Sequence, residues 1–183
     1  MKKYILSIIL LVFFNKIHYS QEANTVKVWR INFLNPAIEL ELPTSSNTTF
    51  SAGLGIGYGG AYPQTSNGGF GFLYSFNPFL DLQQKWFYNF SKRKSKNRSN
   101  ENNSGNFVSA RLLTRGNTID SNFNRTTDFD FAVGPTWGLQ RKYGKNFHFL
   151  FDVGPIYYFD TNGKGYIFPI MFQLNLGFDL KLK

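Results

Sequence analysis

Cysteine is absent from this 183-residue chain. That excludes a disulfide-stapled secreted domain and a lipoprotein anchored through an N-terminal Cys. Histidine is nearly absent: only His18 and His148 occur, so a structural zinc site is excluded and neither a metal nor another cofactor is expected. Long apolar runs are missing too. The one candidate, Tyr4 to Phe14, is about a dozen residues long, short of the roughly 20 that a transmembrane helix needs. Acidic residues are outnumbered, 11 against 20 Lys and Arg, but much of the excess sits in one stretch, "SKRKSKNR" (Ser91 to Arg98), so it is a local patch and not a whole-surface field.

What is present at the N-terminus has the form of a signal peptide. Lys2 and Lys3 precede the Tyr4 to Phe14 run, and cleavage is expected near Ser20/Gln21, with Ala23 as the alternative last residue. Residues 1–20 would then be the leader and 21–183 one domain; loss of Lys2, Lys3 and Lys16 removes three positive charges, and His148 becomes the single mature histidine.

Aromatics make up 19% of the chain, with 21 Phe and 10 Tyr, yet the mean hydropathy is −0.27. An exported, aromatic-rich chain without long apolar runs points to alternating strands. The segment "DFDFAVGPTWGLQ" (Asp128 to Gln140) sets Phe129, Phe131, Val133, Pro135, Trp137 and Leu139 on one face, opposite Asp128, Asp130, Thr136 and Gln140. The last strand alternates likewise, with Phe172 to Leu180 opposite Gln173, Asn175 and Asp179. Phe72 to Phe90 keeps one parity through Tyr74, Leu80, Trp86 and Tyr88, and Asn146 to Phe159 does so through Phe147, Val153 and Tyr157. Asn106 to Thr114 alternates more weakly. In "VKVWRINFLNPAIELELP" the parity changes at Asn35-Pro36, where either two strands turn or one strand carries a bulge. The count is eight or seven; bacterial single-chain barrels have even numbers, which favours eight.

The stretch "GLGIGYGG" contains G-x-G-x-x-G at Gly55, Gly57 and Gly60. A phosphate-cradling turn must follow a strand and open a helix. Here Phe50, Ala52, Leu54, Ile56 and Tyr58 alternate with Ser51, Gly53, Gly55, Gly57 and Gly59, so the glycines belong to a strand whose small face looks into a crowded interior.

These readings converge on an all-β fold, a small antiparallel up-and-down transmembrane β-barrel of eight strands behind a signal peptide. The inward faces would hold a lumen network of Glu39, Glu41, Asp81, Lys85, Arg111, Asp128, Asp130, His148, Asp152 and Asp179, with Arg111 and Lys85 holding the carboxylates. Trp86, Tyr88, Phe90, Trp137, Tyr157 and Phe159 would form aromatic girdles at the membrane interfaces.

The segments "INFLNPAIELELP", "LDLQQKWFYNFSKRKSKNRSNENNSGNFVSARL", "VGPTWGLQRKYGKNFHFLFDVGPIYY" and "FQLNLGFDLKLK" resemble the small outer-membrane β-barrel proteins of Gram-negative bacteria, over Val26 to Lys183. The resemblance implies an outer-membrane location and assembly by the barrel-insertion machinery, and it supplies no catalytic residues. Such barrels often end on an aromatic, whereas this chain ends in Lys183 with Phe178 five residues earlier.

Catalysis finds little support. His148 and Asp152 share a strand face but stand about 13 Å apart, beyond hydrogen-bond reach, and no motif names a Ser partner. The basic loop Lys92, Arg93, Lys94, Lys96 and Arg98 meets no nucleic acid in an exported chain. Lipopolysaccharide phosphates, if it faces out, or acidic envelope partners, if it faces in, suit it better. Strand counting places this long loop on the periplasmic side, where turns are usually short. The expected function is non-enzymatic, a structural or surface-interaction role for a monomer among outer-membrane lipids and lipopolysaccharide. The alternative is a binding protein or narrow, porin-like conduit for a small apolar or lipid-like ligand; a lipid-modifying barrel enzyme comes third.

Overall fold

The computed structural model describes residues 24–61, 73–123 and 127–180. The expected leader, residues 1–20, and its cleavage site lie outside them. Wherever apolar and polar residues alternate, a strand forms: β1 (Val28–Asn32), β2 (Ala37–Pro43), β3 (Thr48–Ala61), β4 (Leu73–Phe87), β5 (Gly105–Arg115), β6 (Asp120–Ser121), β7 (Asp130–Tyr143), β8 (Phe147–Asp160) and β9 (Gly165–Leu180). All pairings are antiparallel, each long strand lies beside the next, and β1 pairs with both β2 and β9. Eight strands thereby close into a ring, and the two-residue β6 pairs with β4 outside it.

The parity break at Asn35-Pro36 is a turn: β1 and β2 are separate strands paired with each other, Arg30 opposite Glu39. The "GLGIGYGG" stretch lies within β3, continuously paired with β4 from Thr48 to Ala61. On β7 and β8, Pro135 and Pro155 interrupt the ladder, which skips from Val133↔Tyr157 to Trp137↔Val153 because proline has no N–H to donate.

One parity ends earlier than its pattern implies. Strand β4 stops at Phe87 and the chain bends into the short helix α1 (Phe90–Ser95). Phe90 is therefore not an outward girdle residue. It is 2% exposed and stacks on Phe87 at 4.7 Å between ring centroids, while Phe87 meets Phe107 edge-on at 5.6 Å. With Leu150 these three rings form the apolar cluster of the interior.

The long basic loop also acquires a structural role. After α1 the chain makes a 3-10 turn (Glu101–Asn103), with Asn102 and Asn103 at positive φ, and folds back over the end of the ring that carries Val28 and Leu180. Asn103 is fully buried; its amide donates to Val26 O at 2.9 Å and its Oδ1 accepts from Val26 N at 2.8 Å. The loop is long on this side because it stoppers the ring.

Candidate functional site

The polar faces of the strands meet inside the ring, where a charge without a partner is costly. Arg30, on β1 between the outward Trp29 and Ile31, is fully buried and is the hub. Its Nη1 donates to Glu41 Oε2 at 2.5 Å and Glu39 Oε1 at 3.1 Å, its Nε to Asp179 Oδ1 at 3.0 Å, and its Nη2 to Asn102 O in the stopper at 3.2 Å. Lys85 Nζ lies 3.5 Å from Glu39 and 3.9 Å from Glu41 and donates to Gln140 Oε1 at 3.0 Å. Gln140 in turn donates to Glu41 at 3.0 Å and to Asn103 O at 3.3 Å, which ties stopper to wall. Thr49 Oγ1 completes the shell around Glu41 at 2.5 Å.

A second cluster surrounds Arg111. Its Nε and Nη2 grip both oxygens of Asp81 at 2.9 and 2.8 Å, and its Nη1 stands 3.6 Å from Asp152. Gln83 Nε2 donates to Asp152 Oδ2 at 3.0 Å and Gln173 Nε2 to Asp81 Oδ2 at 3.1 Å. Removing the Arg111 guanidinium strands two carboxylates, but Asp81 remains 13% exposed beside a cavity and keeps access to water. Arg111→Ala is therefore expected to lower stability by about 2 kcal/mol, below the loss typical of a fully buried pair. The measurement is the temperature at which the folded, heat-resistant gel band disappears; an unchanged temperature refutes the role of Arg111.

The structure brings together Glu39, Glu41, Asp81, Lys85, Arg111, Asp152 and Asp179 of the expected network. Asp130 is buried but pairs at the rim with Arg115, at 2.7 Å, instead of with Arg111 or Lys85. Asp128 does not belong to the network: it precedes β7 in a bend and is exposed. His148 is fully buried with Nδ1 3.7 Å from Asp179, and neither ring nitrogen has a hydrogen-bond partner among the described residues. Trp86, Tyr88, Trp137 and Tyr157 are exposed on the outer surface, and Phe159 stacks between Phe131 and Tyr157. Arg30 is the main residue that sequence reasoning missed, although the outward parity of Trp29 and Ile31 assigns its side chain to the interior.

The other end of the ring is built differently. Strands β1 and β2 have 5 and 7 residues, whereas β3 and β9 beside them have 14 and 16. The β1–β2 turn is clipped to both neighbours, through Phe33 N to Leu176 O at 2.8 Å and Ile56 N to Pro36 O at 2.9 Å. Above that turn, no pairing among the described residues joins the far halves of β3 and β9. The wall has a lateral notch, about three strand spacings or roughly 14 Å across at its sill.

A cavity of about 430 Å³ opens through this notch. Leu34 and Asn35 of the turn form its sill, Asp81, Arg111, Leu113 and Arg115 its inner wall. Tyr58, Phe172 and Leu174, on the outward faces of their strands, form its lips, so the cavity reaches the outer surface. Along the β9 lip Ile167, Ile170 and Phe172 are 70%, 73% and 70% exposed, the most exposed large apolar side chains described. Polar groups at the back and apolar groups at the mouth match an amphipathic guest, and the volume falls in the range of small-molecule sites. Comparison with family models, curated proteins and solved structures finds no match for this chain.

Proposed function

We propose that this chain is a small outer-membrane β-barrel of a Gram-negative bacterium, exported by its N-terminal leader, and that it binds a lipid-like amphipathic ligand through the notch between β3 and β9. The membrane reading is supported by an inside-out distribution of residues. Arg30, Glu41, Lys85, Gln140, His148 and Asp152 are completely buried, while Leu54, Ile56, Trp86, Val133, Trp137, Tyr157 and Phe178 are exposed. In water the exposed apolar face would be unfavourable; in a bilayer it matches its surroundings, while the polar groups stay enclosed within the ring.

The observation that carries the binding role is the notch itself. Unpaired strand edges are not tolerated against lipid, but they are tolerated where they line a wetted cavity. The edges of β3 and β9 that have no strand partner among the described residues border such a cavity. A ligand with its polar end near Arg111, Arg115 and Gln173 and its hydrocarbon leaving past Phe172 satisfies both environments. Conduction is disfavoured, because the stopper and the Arg30 network fill the opposite half of the interior, where Arg30, Glu41, Lys85, Gln140 and Asn103 have zero exposure.

Protein extracted from its own membranes in a neutral detergent is expected to carry such a molecule in near-stoichiometric amount, seen by mass spectrometry of its organic extract. Leu113→Trp, which places an indole in the cavity, is expected to reduce that yield several-fold while heat-resistant migration persists. Equal yields from both proteins, or an empty wild-type protein, refute ligand binding at the notch.

A further inference from the structure

A second, smaller pocket of about 340 Å³ lies at the stoppered end of the ring, where β4 leaves the wall and the basic loop begins. Lys92, Arg93, Lys96 and Arg98 from α1 and its following turn line it together with Arg141 at the end of β7. Lys94, on the same helix, does not line it. Five cations thus face one space, and no carboxylate lines it. Among the described residues, the Arg93 and Arg141 guanidinium groups are held by neutral oxygens. Arg141 Nη1 donates to Gly105 O and Gln140 O, both at 2.7 Å, while Arg93 Nη2 donates to Ser99 O at 2.6 Å and its Nε to Asn100 Oδ1 at 3.3 Å. Glu101, the acid of this loop, pairs instead with Lys142. Burial and the neighbouring Arg98 push the Arg93 guanidinium below its ordinary value, as expected of a cationic cluster that lacks its counter-charge.

The pocket is continuous with the apolar outer wall. Tyr88 lines it, and the same phenol accepts a 2.8 Å hydrogen bond from Trp137 Nε1 and lies 6.3 Å from the Trp86 ring. A ligand seated here meets positive charge at one end and exposed aromatic surface at the other.

We propose that this pocket binds the phosphate of an anionic glycerophospholipid, whose acyl chains run along Tyr88, Trp86 and Trp137. The inference rests on the membrane reading above. The short turns between β2 and β3 and between β7 and β8 lie at this end, the periplasmic end of a barrel, and its leaflet supplies glycerophospholipid. Preorganised Arg groups suit a phosphate, and the flanking Lys residues add point charge.

The test reconstitutes the full chain into phosphatidylcholine vesicles doped with either phosphatidylglycerol or phosphatidylcholine carrying brominated acyl chains, and reads tryptophan quenching. Brominated phosphatidylglycerol is expected to quench at about tenfold lower mole fraction than brominated phosphatidylcholine. Lys92→Gln/Lys96→Gln/Arg98→Gln changes three exposed side chains and should abolish the preference, while Lys164→Gln in the turn at the other end should keep it. Equal quenching by the two lipids in wild type, or an unchanged preference in the triple variant, overturns the site. Loss of the preference in inorganic phosphate but not in chloride of equal ionic strength supports a phosphate seat in the pocket, whereas equal loss in both salts reduces the preference to screened surface charge and overturns the site. A chain that fails to float with the vesicles overturns the membrane reading itself, a failure distinct from flotation with equal quenching.

Discussion

Replacing Arg30 by alanine is expected to be the most damaging single change in this protein, with a loss of about 3–5 kcal/mol. Arg30 is fully buried and touches Glu39, Glu41 and Asp179 at once, and the stopper through Asn102 O. Without it Lys85 faces Glu39 and Glu41 at 3.5 and 3.9 Å, longer than direct hydrogen bonds, and Asp179 loses its arginine. Arg30→Lys should recover only part of the loss, because an ammonium is a point charge and cannot span three acceptors as a planar guanidinium does. The measurement is the urea midpoint of the refolded protein in micelles, read as the fraction that migrates folded. Arg30→Met/Glu39→Gln/Asp179→Asn, which removes two of the three carboxylates with the cation and leaves Glu41 to Lys85, should lie well above Arg30→Ala. If Arg30→Ala unfolds at the wild-type midpoint, the network does not stabilise the ring.

The second large effect is expected at Gly55. A Cβ there would stand 2.1 Å from Pro36 O and 2.6 Å from Ala37 Cβ, because the β1–β2 turn lies directly over it. The clash is with backbone that is itself clipped to β3 and β9, so it is not relieved by a rotamer change. Gly55→Ala should destabilise by about 1–3 kcal/mol and, by lifting the turn that forms the sill of the notch, should reduce ligand retention as well. Gly59→Ala is the internal control. Its Cβ meets only Ser75 Oγ at 3.6 Å, an ordinary contact, and replacing a strand glycine by alanine is expected to be neutral or slightly favourable. Should the two variants unfold together, the account of the glycine strand is wrong.

These two sites differ in how far they could be read in advance. Arg30 and Glu39 are nine residues apart on either side of a turn, and period-two alternation alone assigns both to the interior. That Gly55 needs to be glycine could not be read the same way. Gly53, Gly55, Gly57 and Gly59 look alike in the alternation, yet Gly53 and Gly59 leave ordinary clearance and Gly55 leaves none. The difference comes from the turn that crosses Gly55. Phe90 failed for a related reason: alternation continued through Tyr88, but the backbone left the strand at Phe87, and parity has no meaning once a chain bends into a helix. Asp128 failed likewise, lying two residues before β7 begins.

The sequence by itself determined the long strands, the face taken by residues within them and the absence of disulfide chemistry, because side-chain alternation and composition are local properties. Ring closure decided the rest. It brought Asp179 and Lys85 to Arg30 from strands remote in the chain, and it folded Asn102 and Asn103 over the open end as a stopper. Two short strands between long ones are visible as a pattern; only when β9 pairs with β1 do they become a gap in a wall. The notch and the cationic pocket both lie where separate segments meet, and which segments meet is set by the register of the whole sheet.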